Sequence, residues 1–135
     1  MRHFGLAAAA LLVLTPSMAS AAGHPWQLAK ATTVMAAVNS HTNTFVIDAY
    51  VTLPMSCYAT SVQTHSVTSD LNRAFAVMQQ QPSSMCTGPA YSCVASGTFR
   101  LPIQHTFNVY TKGKVWHVHL GTHPPTPTQP MCHKG

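Results

Sequence analysis

The feature that most constrains this chain is a strict alternation of side chains over residues 44–53. The apolar members of this row are Phe45, Ile47, Ala49, Val51 and Leu53. The residues between them are mostly polar and would project from the opposite side of an extended segment. A period of two is typical of a β-strand that buries one face in a core.

Further segments alternate over shorter lengths, and turns that carry Asn, Ser, Pro or Gly separate them. They are residues 33–38, 59–67, 74–79 and 96–101. Residues 26–38 are ambiguous between helix and strand, and no long helical face occurs elsewhere after the first 21 residues. Short strands at this spacing predict an all-β fold, with a sandwich as its simplest form.

The last two predicted strands form a hairpin whose register follows from its turn. Residues 105–110 and 115–120 flank Lys112-Gly113, which suits a two-residue turn. One face would pair Val109 with Trp116, Phe107 with Val118 and His105 with Leu120. The other face would pair Tyr110 with Val115, Asn108 with His117 and Thr106 with His119. The first face is largely apolar and the second largely polar, as in a hairpin buried on one side.

The C-terminal segment, residues 121–135, has a different composition. It holds Pro124, Pro125, Pro127 and Pro130. Because proline cannot donate a ladder hydrogen bond, this segment is predicted not to form a central strand. We expect an extended proline-rich arm that Cys132 fixes back onto the domain.

The N-terminus has the order of a secretory signal peptide. Arg2 and His3 precede an apolar run from Phe4 to Leu14, and Ala19 and Ala21 form an Ala-x-Ala cleavage pattern. A membrane anchor is the alternative, but a span needs about 20 apolar residues and this run is roughly half as long. We therefore expect residues 1–21 to be a cleaved signal, residues 22–135 to be one disulfide-bonded domain, and the protein to be extracytoplasmic without a stable membrane anchor.

Charged residues are scarce: they make up 7% of the chain, against about 25% in an ordinary soluble domain. There is no Glu, and Asp48 and Asp70 are the only acids. The lysines and arginines are scattered along the sequence rather than clustered, which argues against nucleic acid as a partner.

Four cysteines remain in the predicted mature chain: Cys57, Cys86, Cys93 and Cys132. An even number in an exported chain favours two disulfides. Metal ligation by these cysteines is the alternative, although no Cys-x-x-Cys pair is present. The residues alone leave all three possible connectivities open.

Several short motifs resemble a class of bacterial secreted immunoglobulin-like domains over roughly residues 33–120. They are Leu-Pro-Met-Ser-Cys-Tyr at 53–58, a second cysteine at 86, Phe-Arg-Leu-Pro at 99–102, and Asn-Val-Tyr at 108–110 before Gly113. The resemblance implies an immunoglobulin-like antiparallel β-sandwich of about seven strands. It also implies a Cys57–Cys86 bridge. Cys93 and Cys132 fall outside the shared pattern and would then pair with each other.

The residues present exclude most hydrolytic chemistry and predict that the protein is not an enzyme. Glycoside hydrolysis usually needs two flanking carboxyl groups, whereas Asp48 falls on a predicted strand and Asp70 in a turn. No Gly-x-Ser-x-Gly elbow and no phosphate-cradling glycine loop occurs. Paired cysteines would leave no thiol nucleophile, so catalysis would require a metal.

Histidines supply two candidate sites for copper, nickel or zinc. His117 and His119 project from the same side of a predicted strand, from where two imidazoles can reach one ion, and His123 follows shortly after. Polar histidines on the surface of an acid-poor protein are the alternative. If cleavage leaves Ala22 first, then Ala22, Gly23 and His24 supply a planar set of four nitrogens that suits Cu(II) or Ni(II).

Three functions remain after these exclusions, and no cofactor is certain. The leading hypothesis is a secreted or periplasmic, non-enzymatic binding module for an unknown protein or small ligand. The alternative is a periplasmic copper-, nickel- or zinc-binding protein. A weaker alternative is a secreted enzyme inhibitor whose proline-rich tail is the inserting element.

Overall fold

The computed structural model describes residues 24–67, 72–122 and 126–134, and in these ranges the regular structure is all β. The strands are β1 (Gln27–Leu28), β2 (Lys30–Asn39), β3 (Thr44–Leu53), β4 (Ala59–Val67), β5 (Arg73–Gln80), β6 (Tyr91–Arg100), β7 (Thr106–Thr111), β8 (Lys114–Gly121) and β9 (His133–Lys134). Within the same ranges, no helix has the length and apolar character needed to cross a membrane. The predicted signal peptide and Asp70 lie outside the described residues.

The strands form one mixed, nearly closed, barrel-like sheet in the order β6-β3-β2-β8-β7-β5-β4-β9, and β1 pairs with β5 beside this path. Three contacts are parallel: β2 with β8, β5 with β7 and β4 with β9. The predicted immunoglobulin-like antiparallel sandwich of about seven strands is not confirmed. The reason is that short parallel contacts such as Ala36 with Leu120 join the antiparallel hairpins into a single sheet.

The two strongest sequence patterns are confirmed. β3 spans Thr44–Leu53, and its alternate side chains from Phe45 to Leu53 are all 1% exposed or less. β7 and β8 pair in the predicted register, with Phe107 opposite Val118. Gly113 has a φ of 78°, a conformation that glycine adopts without strain at a tight turn.

Other strands are longer than their sequence patterns indicated. The ambiguous residues before position 38 form β1 and β2, with no helix among them. β6 begins at Tyr91, whereas its alternation predicted a start at residue 96. The first half of β6 does not alternate because Cys93, Val94 and Ala95 are all buried, which means that both faces of the strand are covered there.

Four phenylalanines fill one end of the sheet, which we call the phenylalanine end. They are Phe45, Phe75, Phe99 and Phe107. The ring centroids of Phe75 and Phe99 are 4.7 Å apart, and those of Phe45 and Phe75 are 5.8 Å apart. Arg73 lies over the Phe45 ring at 5.6 Å and donates hydrogen bonds to the carbonyl oxygens of Arg100 and Pro102. The core at this end is therefore solid, and Arg73 covers it; a smaller, polar cavity of about 230 Å³ is lined by Arg73, Phe107 and their neighbours.

The described part of the C-terminal arm closes the sheet. The Val94 amide donates to the Pro130 carbonyl at 2.8 Å, and the Cys132 amide donates to the Val94 carbonyl at 2.9 Å. Immediately afterwards, β9 pairs in parallel with the start of β4. The arm thus lies between β6 and β4, which are the two strands that would otherwise leave the sheet open.

Further along the same seam, β4 and β6 approach each other directly. A Cβ atom placed on Gly97 of β6 would lie 2.9 Å from the Cβ atom of Val62 in β4. Glycine at this position therefore allows the two strands to pack closely where the arm does not separate them.

The structure pairs Cys57 with Cys86 and Cys93 with Cys132, the connectivity that the resemblance implied. The Cα atoms are 6.3 Å apart in the first pair and 5.1 Å apart in the second. Cys57 and Cys86 join two loops, whereas Cys93 and Cys132 are buried at the seam between β6 and the arm. Two such pairs are consistent with an extracytoplasmic protein.

Candidate functional site

A cavity of about 450 Å³ lies at the end of the sheet where β2 begins and where β3 and β5 end. We call this region the lysine rim. Its lining residues are Lys30, Thr52, Leu53, Pro54, Gln79, Ala90 and Lys112. They come from three strands, two loops and the β7–β8 turn, so that only the folded chain assembles the site.

Ala29 holds the two lysines of the rim in place. This residue is fully buried, and its amide donates to the Val77 carbonyl at 2.8 Å. Its carbonyl accepts a hydrogen bond from the Lys112 amide, also at 2.8 Å. Because Lys30 follows Ala29 directly, these bonds fasten the start of β2 beside the β7–β8 turn.

Gln79 is the most deeply placed polar side chain of the rim. It continues the inward row of β5 after Phe75 and Val77, and it is only 9% exposed. Its side-chain amide makes no hydrogen bond to any residue in the described ranges. The amide atoms of Gln79 are not among the fully buried polar atoms that lack a partner in the described ranges, so they reach the open space of the cavity. Gln79 is therefore the polar side chain that a ligand would meet deepest in the cavity.

The walls of the cavity include two loops that a disulfide connects. Pro54 precedes Cys57 and Ala90 follows Cys86, and the Cys57–Cys86 bond links the two loops. The first loop also contains a turn in which the Tyr58 amide donates to the Met55 carbonyl at 3.3 Å. The disulfide therefore restrains the apolar wall relative to the strands that carry the lysines.

The charge of the rim is positive. Lys30 and Lys112 line it, and its lining contains no carboxylate, imidazole or thiol. Asp48, the one carboxylate side chain in the described ranges, lies in the middle of β3 and does not line the cavity.

His117 and His119 project from the outer face of β8, as the register predicted. The Nδ1 atom of His117 is 2.7 Å from Oδ1 of Asn108, and that of His119 is 3.0 Å from Oγ1 of Thr106. Among the residues that the structure describes, no group of three or more His, Cys, Asp or Glu side chains could hold a metal ion. His123, the third predicted ligand of this site, lies outside the described residues.

The predicted N-terminal chelate is described only at its last residue. His24 is exposed, and its carbonyl oxygen accepts a hydrogen bond of 2.8 Å from the Gln80 side chain. Ala22 and Gly23 lie outside the described residues. The start of the described chain is thus fixed at the end of β5, beside the lysine rim.

The sequence interpretation did not identify the lysine rim. A signal was present for Gln79, because a polar residue occupies an inward position in the alternation of β5. No comparable signal existed for Lys30 and Lys112, since contacts between distant segments, such as the hydrogen bond between Lys112 and Ala29, bring them together.

Comparison of this chain with protein-family models, with curated proteins and with solved structures finds no match in any of the three.

Proposed function

We propose that this protein is an extracytoplasmic, non-enzymatic binding module, and that the lysine rim is its ligand site. The observation that carries the proposal is Gln79, a side chain that is 9% exposed, lines the cavity and has no hydrogen-bond partner for its amide in the described ranges. The amide atoms reach the open space of the cavity, where a ligand can bond to them.

The size and composition of the cavity support a small organic ligand. Its volume of about 450 Å³ falls within the range of sites that take such molecules. Leu53, Pro54 and Ala90 provide apolar wall, while Gln79 and Thr52 provide polar contacts. A few placed polar groups among apolar ones are the usual composition of a small-molecule site.

The other parts of the proposal have separate support. The two disulfides favour a location outside the cytoplasm. The absence of carboxylate, imidazole and thiol groups from the cavity lining favours binding without catalysis. An immunoglobulin-like arrangement stays a prediction, which the antiparallel pairing of β3 with both β2 and β6 supports.

The proposal is tested by two-dimensional NMR of the mature protein with benzamide and benzoate as small aromatic probes. We expect at least one probe to shift the amide signals of Leu53, Gln79 and Ala90, and we expect Gln79→Leu to weaken that binding. Gln63→Leu is the matched control, because Gln63 is exposed on β4 and does not line the cavity. If neither probe shifts the rim signals, or if both variants bind alike, the rim is not the ligand site.

Metal binding is the second candidate function, and the hydrogen bonds of His117 and His119 favour it. Each imidazole has its Nδ1 atom paired with a cross-strand side chain. Pairing of one ring nitrogen in this way typically orients the other for a metal. His123 would be the third ligand, and copper or zinc the ion.

A titration of the mature protein with Cu²⁺ and Zn²⁺ tests this candidate, together with mass-spectrometric assignment of the first residue. Binding in the micromolar range or tighter would support the β8 site if the double variant His117→Gln with His119→Gln abolishes it and His41→Gln leaves it intact. Copper binding that only His24→Gln abolishes would assign the ion to the N-terminal chelate instead. No binding at micromolar concentrations would refute both metal sites.

An inhibitor function stays a prediction without a supporting contact. The tail was its predicted inserting element, yet residues 130–134 of that tail pair with β6 and β4. Residues 126–128 of the tail are exposed, and the Cys93–Cys132 disulfide holds the segment that follows them.

A further inference from the structure

We propose that the ligand of the lysine rim is a small organic anion whose negatively charged head binds between Lys30 and Lys112. This inference rests on the proposed function of the rim as a ligand site, and it adds the chemical class of the ligand. The charges, the backbone geometry and the apolar wall of the rim each contribute one step.

The first step concerns the charges. Two of the few cations of this chain line one cavity. Two other cations are already engaged: Arg73 donates to the carbonyl oxygens of Arg100 and Pro102, and the Lys114 ammonium lies 3.7 Å from the centre of the Trp116 ring. Lys30 and Lys112, in contrast, make no side-chain hydrogen bond or ion pair within the described ranges. Their charges are thus available to a ligand.

The second step concerns the backbone. The hydrogen bond of 2.8 Å from the Lys112 amide to the Ala29 carbonyl keeps the two lysines at the same cavity. Holding two like charges together costs electrostatic free energy, and an anion between them reverses the sign of that interaction. Among the described residues that line the cavity, none carries a carboxylate that would compensate the two charges, so an anion that enters the cavity can do so.

The third step concerns the rest of the ligand. Leu53 and Pro54 line the same cavity as the lysines, and at about 450 Å³ it is large enough for an organic body. Burial of an apolar body against this wall adds free energy of binding that an inorganic ion lacks. Gln79, deeper in the cavity, can accept from or donate to a polar substituent of the same molecule. The rim therefore fits an anionic head joined to an apolar body.

Benzoate and benzamide test this class because they have nearly the same shape and differ in charge. We expect benzoate to bind the rim about tenfold more tightly than benzamide at low salt. Raising the ionic strength to about 0.3 M should reduce this preference, since salt screens exposed charges. Binding of phenyl phosphate shows whether the site prefers a phosphate or a carboxylate head. Binding of inorganic phosphate measures the affinity for a charged head without an apolar body.

The test variant is the double substitution Lys30→Met with Lys112→Met, and the matched control is Lys134→Met. All three lysines are exposed, and Lys134 in β9 does not line the cavity. The double variant should lose the preference for benzoate while still binding benzamide, and the control should keep both. Circular dichroism and thermal unfolding would establish that each variant is folded.

Each contrary result has a distinct meaning. Equal binding of benzoate and benzamide at the rim would overturn the anionic class and leave the proposed ligand site standing. Inorganic phosphate binding as tightly as benzoate or phenyl phosphate would overturn the organic part of the inference. Failure of every probe to shift the rim signals would overturn the ligand site and the anionic class together.

Discussion

β5 begins with Phe75 on its inward face and ends, four residues later on the same face, with Gln79. At the first end, Phe75 packs with three other phenylalanines beneath Arg73. At the second end, Gln79 lines a cavity beside two lysines. The inward row of one strand thus ends in an aromatic ring in a filled core on one side and in an amide beside an open cavity on the other.

The two ends also differ in what stabilises them. Aromatic packing fills the phenylalanine end, whereas both disulfides lie towards the lysine rim. Cys57–Cys86 joins the loops of the cavity wall, and Cys93 lies opposite Val51 near the end of β3. In the half of the domain that contains the lysine rim, the disulfides compensate for the apolar contacts that are lost where the cavity lies. A binding site can thus be kept open in a small domain without loss of its surrounding structure.

The largest expected effect comes from removing the disulfide at the seam. Cys93→Ala with Cys132→Ala should lower the free energy of unfolding by about 4–5 kcal/mol, of which about 4 is chain entropy and the rest is lost packing. Hydrogen exchange should show the rim half losing protection first, around Leu53 and Gln79, while Phe75 and Phe107 stay protected longest. Loss of protection at the same rate in both halves would contradict the difference between the ends.

A smaller effect is expected from truncating the solid end. Phe75→Ala should cost about 3–5 kcal/mol, because it removes a fully buried ring and leaves a cavity. The matched truncation at the rim, Gln79→Ala, should cost less than about 1 kcal/mol, since its amide bonds to nothing in the described ranges. Urea unfolding measures both values, and similar costs would show that the rim is packed as tightly as the other end.

The smallest expected effect comes from making the rim resemble the solid end. Gln79→Leu should raise the free energy of unfolding by at most about 1 kcal/mol, because an apolar side chain of similar size replaces a residue that is only 9% exposed. Thermal unfolding without ligand measures the gain. A loss of stability would mean that the Gln79 amide already has a satisfying partner in the free protein.

The sequence predicted the structure correctly where a pattern involves only neighbouring residues. The alternation of β3 and the register of the β7–β8 hairpin follow from neighbouring residues and a two-residue turn, and both are confirmed. The start of β6 was missed because Val94 points outwards and is nevertheless 0% exposed, covered by the arm at Met131. No pattern within β6 can reveal a cover that comes from a distant segment.

The rim was missed for a related reason. The alternation of β5 places Gln79 on the inward face, but it does not show that the space in front of it is empty. The positions of Lys30 and Lys112 depend on long-range contacts, among them the hydrogen bond of the Lys112 amide to Ala29. β1 and β9 are likewise too short to show an alternation in the sequence, and they are identified as strands only by their pairing with β5 and β4.

The position of the arm determines the order in which the strands of the sheet can assemble. Residues 130–134 separate β6 from β4 and include β9. They come after strands β1 to β8 in the chain. A chain emerging from the ribosome or from an export channel with its N-terminus first can form its hairpins early, but it cannot close the sheet until this segment has also emerged. Closure is made covalent only when Cys93 and Cys132 are oxidised, so that the last step of folding depends on the redox conditions around the chain.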